Sequence, residues 1–242
     1  MDLRLVCVWS AYDMLATMDT RTFFGKCMQM TRNAITARKG NAAERHMCEQ
    51  VEPKQKLEAY FGKPISSMRL VSGKKKSDIE IVLEDGTIAR LQNKEGGGEA
   101  SRGWSADRRS VDRMPMDDAG KQLLSVVCLK KEGERPVDVA RPPSLIRDLL
   151  LGTDPNTMPT HFTHTEFDTE TNKIRQLSIA PAETVLTALE DMAHPHLVAK
   201  RTCVHIAPGM YLQRKGGGVH DSAPDDIQLK IVKFPPVMTS LM

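Results

Sequence analysis

The sequence predicts an α/β fold in which a mixed β-sheet is flanked by helices, in a single domain spanning residues 1–242. Three observations predict it. A β-hairpin is written into residues 77–94, where two alternating segments flank a Glu84-Asp85-Gly86 turn. Helical spacing of apolar residues dominates the first third and returns at Pro181–Met192. Strand-like segments then close the chain after residue 203, and 242 residues suffice for one large core.

Asp19, Thr20 and Thr22 offer helix caps, and Phe23, Phe24, Cys27, Met28 and Ile35 recur at roughly helical spacing. Gly40-Asn41 interrupts this pattern. A second helix is expected from Ala42 to Tyr60, bent or broken at Pro53, and Gly62-Lys63-Pro64 closes the helical region 1–62. Residues 63–130 hold the hairpin and a Gly/Arg-rich loop. Ile65–Ser72 reads as a short strand and Lys74-Lys75-Lys76 as a basic turn. In Ser77–Leu83, Ile79, Ile81 and Leu83 face one way, and Asp78, Glu80 and Val82 the other. The return strand Thr87–Lys94 puts Ile88, Arg90, Gln92 and Lys94 on one face. Residues 95–118 read as a long loop, and Lys121–Leu129 as a buried strand or a short helix. In the last part, 131–242, Pro142-Pro143 precedes a short helix at Ser144–Leu151, and His161–Asn172 reads as irregular. Val185, Leu186 and Leu189 mark the helix Pro181–Met192. Strands at Cys203–Ile206, Met210–Arg214 and Ile227–Phe234 complete the sheet.

Composition excludes several classes of function. Lys plus Arg (34) barely exceed Asp plus Glu (31), so the net charge of +3 is not that of a polycation. A local basic cleft remains open to it, because a surface field depends on where charges sit. At 5% aromatic residues, stacking platforms for single strands do not dominate. No apolar run reaches the ~20 residues of a membrane span. Met1–Trp9 has Arg4 inside its short apolar stretch and no basic segment followed by a small-residue cleavage site, so it is expected to be mature protein. Five scattered cysteines without a CxxC pair argue against a cysteine zinc site and against a disulfide framework. They are expected to be reduced thiols in an intracellular, cytoplasmic protein.

The hairpin carries the chemistry. Folding it on its Asp-Gly turn brings Asp78 close to Gln92 and Lys94. Hydrolysis of a phosphodiester needs an oxygen-ligated divalent cation to neutralise charge and lower the pKa of the attacking water. A lysine beside that water or the scissile phosphate assists. Asp78 supplies a carboxylate, Gln92 a neutral carbonyl oxygen and Lys94 an ammonium.

Asp78 followed after a hairpin by Gln92-Asn93-Lys94 resembles the core of the PD-(D/E)xK nucleases, the restriction-endonuclease-like fold. The stretch Lys74–Lys94 is similar in rhythm to the core of type II restriction enzymes. Arg38-Lys39-Gly40-Asn41-Ala42-Ala43-Glu44 is similar to the helix start that carries a metal-reaching Glu in that family. The resemblance makes Glu44 the candidate there, with Glu49 and Glu58 as lesser ones. Gln213-Arg214-Lys215-Gly216-Gly217 and Ile227-Gln228-Leu229-Lys230 are similar to late segments of some restriction enzymes. Ser77 and Gln92 depart from the pattern, where a Pro and an acid are usual; a neutral ligand weakens cation binding. Glu80 and Asp85 are the alternatives to Asp78 within the resemblance, although Asp85 sits in the turn. Without the resemblance, alternating charges on a hairpin are simply a solvated face.

The resemblance implies a restriction-endonuclease-like mixed sheet. It also implies a homodimeric type II endonuclease that cleaves double-stranded DNA with Mg²⁺, for which Mn²⁺ substitutes. Asp78, Gln92 and Glu44 are then the metal ligands, with Lys94 completing the catalytic set. The alternatives are an inactive DNA-binding module of the same fold, or a repair nuclease without base specificity. In residues 96–113, Arg102, Arg108 and Arg109 are expected to contact DNA, as are Arg214 and Lys215. A mobile solvated loop is the other reading of that segment. Gly96-Gly97-Gly98 is no phosphate loop of the Walker kind, since no Gly-Lys-Ser/Thr follows. His161, His164 and Glu166, with His194 and His196, invite a zinc reading, but they lack an HExxH spacing and read better as surface or core histidines. No GxSxG is present.

Overall fold

A computed structural model describes residues 41–71, 76–96, 104–129, 139–168, 170–214, 226–232 and 236–242, with the backbone alone described for 104–108. The helix expected around Asp19–Ile35 lies outside the described residues. The chain divides into two compact units, Met1–Ala42 and Ala43–Met242. Almost all of the described residues belong to the second.

The elements of this unit follow from local chemistry. The expected helix at 42–60 is two helices, α1 over residues 41–49 and α2 at Val51–Phe61, separated at Gln50. Pro53 falls in the first turn of α2, where its missing N–H costs nothing. Gly62 ends α2 in a left-handed conformation with φ 65°, from which its amide bonds back to the Glu58 carbonyl. Strand β1 (Ile65–Leu70) then pairs antiparallel with β2 (Ile79–Leu83), and β2 with β3 (Ile88–Glu95). The turn between β2 and β3 is held by Asp85, which accepts from Lys63 and from the Thr87 amide.

Two expectations about the middle of the chain are overturned. Residues 95–118 are not one loop: β4 occupies Trp104–Ser110, followed by a 3-10 turn at Val111–Arg113. His161–Asn172 is not irregular, since β6 spans His161–Asp168 and pairs with β7 (Lys173–Pro181). Lys121–Leu129 resolves to a helix, α3 (Asp118–Val127), capped by the Asp117 carboxylate on the Gly120 amide. The helices α4 (Leu145–Leu150) and α5 (Ala182–Asp191) stand where helical spacing places them. Strands β5 (Val139–Ala140), β8 (His196–Lys200), β9 (Cys203–Ala207), β10 (Met210–Arg214), β11 (Asp226–Ile231) and β12 (Thr239–Ser240) complete the set.

Among the described residues the strands form two six-stranded sheets, ordered β1-β2-β3-β6-β7-β12 and β4-β11-β10-β9-β8-β5. The first is mixed, because β3 and β6 run parallel and its other pairs antiparallel. Helices α3, α4 and α5 share one apolar core with Phe162 and Ala180 of the first sheet and with Val204, Ile206, Leu212 and Leu229 of the second. On the opposite face of the first sheet, His46 of α1 packs edge-on against Phe167, and Tyr60 and Phe61 of α2 against His161.

Helix α4 has six residues, too few to persist alone. It is fixed by full burial of Leu145, Ile146, Leu149 and Leu150, each worth roughly 1.5–3 kcal/mol. Its last turn also receives two cations. Arg109 Nη2 of β4 donates to the Asp148 carbonyl at 2.8 Å, and Lys76 Nζ to the Leu149 carbonyl at 2.6 Å. Positive charge at that end of a helix adds about 0.3–1 kcal/mol apiece.

A buried polar triangle joins β3 to β6. Asn93 Oδ1 accepts from the Thr163 hydroxyl at 3.0 Å and the Thr165 hydroxyl at 3.3 Å, while Asn93 Nδ2 lies 3.1 Å from Thr165 Oγ1. All three side chains are buried. Replacing Asn93 with Leu strands two hydroxyls and is expected to cost about 1–3 kcal/mol. A lower urea midpoint with an unchanged slope checks this.

Candidate active site

The β2–β3 ladder runs Val82↔Ile88 to Ile79↔Leu91 and then stops. Beyond it the Asp78 amide still donates to the Leu91 carbonyl at 2.8 Å. The next donor, the Asn93 amide, bonds instead to Asp78 Oδ2 at 2.8 Å. The carboxylate has taken the place of a backbone acceptor, which fixes it at the end of the hairpin beside Gln92 and Lys94. Strand alternation performs the rest of the selection. Ile79, Ile81, Leu83, Ala89 and Leu91 are buried on one face, and Gln92 and Lys94 belong to the other.

Glu44 reaches this group from α1. Burial and the Asp78 charge push its carboxyl up to about 7, with Lys94 pulling the other way. Burial also raises Asp78 above the usual carboxylate range, opposed by Lys94, by the Asn93 amide and by Lys76. The three charges of Glu44, Asp78 and Lys94 therefore act on one another, and alternation along β3 puts Gln92 on the strand face of Lys94.

Gln92 supplies the sharpest feature. It is 6% exposed, and its Oε1 is buried without a hydrogen-bond partner. A buried amide oxygen left so costs roughly 1–3 kcal/mol. An amide acceptor without a donor, together with the half-buried carboxyls of Asp78 and Glu44, has the chemistry of a donor set for a hard divalent cation: oxygen ligands, two of them acidic. The residues present fit such an ion. Among the described residues no group of three or more His, Cys, Asp or Glu side chains is placed to hold a metal.

The alternative acids are engaged elsewhere. Glu80 pairs with Arg69, and Glu58 accepts from the Ile65 amide at the start of β1. Asp85 serves the turn, and its bonds to Lys63 and Thr87 hold its carboxyl at about 2. The exposed Glu49 ends α1. His161 and His164 are three residues apart on a strand and so belong to opposite faces. His164 stands directly across from Lys94 in the parallel β3–β6 pair. Sequence reasoning missed that neighbour because no local signal pairs two strands so far apart.

The proposed DNA contacts are distributed differently. Arg102 and Lys215 lie outside the described residues. The backbone of Arg108 pairs with Gln228. Arg109 pairs with the core-facing Ile227 and reaches the Asp148 carbonyl of α4. Arg214 is 6% exposed and lines a cavity of about 480 Å³ with Asp112, Lys121, Ser125 and Cys128. Alternation along β10 half-exposes Gln213 and buries Arg214.

No family model matches the chain, and no curated protein matches it. Among solved structures, the restriction endonuclease MspI in complex with its cognate DNA is similar, with a TM-score of 0.45 and 12% identity over 73% of this chain and 76% of that one.

The raised Glu44 carboxyl makes a stability prediction. Its folded pKa of about 7 lies above the ordinary 4.5, so the folded state keeps a proton that the unfolded chain has lost. Glu44 therefore destabilises the metal-free protein progressively as pH rises from about 4.5 through 7, and by a constant amount above that. Thermal melts should show Glu44→Gln gaining on wild type across this window and remaining more stable at pH 8. Parallel curves would contradict the assignment.

Proposed function

We propose that the protein is an endonuclease that hydrolyses phosphodiester bonds of double-stranded DNA in a Mg²⁺-dependent, sequence-specific manner, as type II restriction enzymes do. The observation that carries this reading is the partnerless Gln92 oxygen beside Asp78, within the field of Glu44 and Lys94. Asp78, Glu44 and Gln92 would hold the cation, with Mn²⁺ as a substitute for Mg²⁺. Bound there, the ion would neutralise phosphate charge and acidify a water molecule.

The chain's own groups supply the remainder. Lys94 places a fixed ammonium on the same strand face as Gln92, where it draws a phosphate into the site and holds the attacking water by a hydrogen bond. Asp78 keeps its orientation through the Asn93 amide, which occupies one carboxylate oxygen and leaves the other for a cation. Water attacks phosphorus, and the bond to the leaving sugar oxygen breaks. A homodimer would pair one such site with each strand of a palindromic duplex. An intracellular setting belongs to the same reading. Among the described residues no helix is long and apolar enough to cross a membrane.

A second reading is a DNA-binding module with weakened metal binding. What favours it is the neutral amide at Gln92, where an acid would bind a cation harder. Plasmid and phage DNA incubated with Mg²⁺ or with EDTA separate the two. Discrete Mg²⁺-dependent fragments support the restriction reading, a smear supports a nuclease without base specificity, and a mobility shift without cutting supports the module.

Asp78→Ala and Lys94→Ala are each expected to reduce cleavage by on the order of 10³-fold or more, as loss of several kcal/mol of charge stabilisation requires, while duplex binding in Ca²⁺ persists. Glu44→Ala should impair cleavage less completely. Retained cutting by the Asp78 or Lys94 variant would remove the assignment. Gln92→Glu should lower the Mg²⁺ concentration needed for half-maximal cleavage. Sedimentation of the protein on a cognate duplex should report two chains; one chain would point instead to a nickase or to sequential cutting.

A further inference from the structure

Lys76 lies two residues before Asp78 and does not point to solvent. Its Nζ donates to the Leu149 carbonyl at 2.6 Å, in the last turn of α4. Its stem runs against Gly152, where a Cβ would stand 3.0 Å from Lys76 Cγ. Gly152 also has a φ of 85°, so both its backbone and its missing side chain make room for the lysine. The anchor is rigid, since Leu145, Ile146, Leu149 and Leu150 of α4 are all buried. Between anchor and acid only Ser77 intervenes, and it is 3% exposed. On the far side the Asp78 carbonyl accepts from the Val71 amide, and the Asp78 amide donates to Leu91, both at 2.8 Å.

We propose that Lys76 is a positioning residue for the candidate site: its ammonium, clamped on the end of α4, fixes the approach of Ser77 and Asp78 so that the Asp78 carboxylate is delivered onto the Asn93 amide. The arrangement ties the acid to the main core instead of leaving it at the free end of a hairpin. The inference rests on the nuclease reading for its catalytic consequence. Its structural consequence stands apart, because the Asn93 amide reports the position of the Asp78 carboxylate whether or not DNA is cut.

The test compares the full-length wild type with Lys76→Met, which keeps the stem against Gly152 and loses the ammonium, and with Lys76→Arg, which restores a donor. Hydrogen exchange in the metal-free protein is expected to show the Asn93 amide exchanging about tenfold or more faster in Lys76→Met, with the amides of α5 unchanged and Lys76→Arg close to wild type. In plasmid cleavage, Lys76→Met should raise the half-saturating Mg²⁺ concentration by about tenfold or more at an unchanged KM for the duplex, with Arg rescuing. Wild-type exchange at Asn93 in Lys76→Met would overturn the proposal. So would equal acceleration in both variants together with the α5 amides, which is general destabilisation. If the wild type neither cleaves DNA nor binds Mn²⁺, yet Asn93 exchange follows Lys76, the nuclease reading falls and the positioning role stands.

Discussion

Asn93 holds the first sheet and the candidate site together through its two ends. Its backbone amide leaves the hairpin ladder to bond to the Asp78 carboxylate. Its side chain, on the opposite face, closes a buried triangle with Thr163 and Thr165 of β6. β3 is the strand at which antiparallel pairing gives way to parallel pairing, and parallel pairs are the weaker per residue. A satisfied polar network inside an apolar layer specifies register more sharply than apolar contacts do, because one step of slippage strands every member. The same residue therefore sets which β6 side chain stands across from Lys94 and where the Asp78 carboxylate is held.

The electrostatics around Asp78 are unfavourable to folding in the absence of a compensating charge. Two half-buried carboxyls repel each other, and both are raised above their ordinary range. Lys94 and Lys76 oppose that repulsion from two directions, one from the strand and one from the helix-anchored turn. An acid at position 92 would put a third negative charge at a buried position. The glutamine avoids this at the expense of attraction for a cation, and leaves an acceptor without a donor. Such an acceptor costs folding free energy, which nothing in the packing around it repays.

The arginines show how far a side chain's role depends on its strand's partner. Arg109 and Arg214 belong to segments whose composition suggests an open basic surface. Yet Arg109 lies opposite core-facing Ile227, and Arg214 shares the parity of buried Met210 and Leu212. Arg109 is used to fasten α4, and Arg214 to line a cavity. Arg69 of β1 and Arg90 of β3 are similarly drawn to Glu80 of β2, whereas Asp78, just before β2, is held by the Asn93 amide.

The sequence by itself determined the β2–β3 hairpin, its buried face and its turn, because period-two alternation and an Asp-Gly turn are short-range signals. It likewise determined α4, α5 and the strands β9, β10 and β11, and put Gln92 and Lys94 on one face of β3, because strand alternation is local; β7, β8 and β12 had no such signal. Only the tertiary structure decided β4 and β6. Trp-Ser-Ala-Asp-Arg-Arg-Ser has no apolar alternation of its own and is a strand because β11 pairs with it. In β6 two of the buried positions are threonines, whose hydroxyls are satisfied by Asn93, a residue some seventy positions away in the chain. Glu44 had a motif to suggest it, but its nearness to Asp78 comes from how α1 is held against the sheet. Lys76 had no signal at all: its partner is a backbone carbonyl, and carbonyls carry no sequence code.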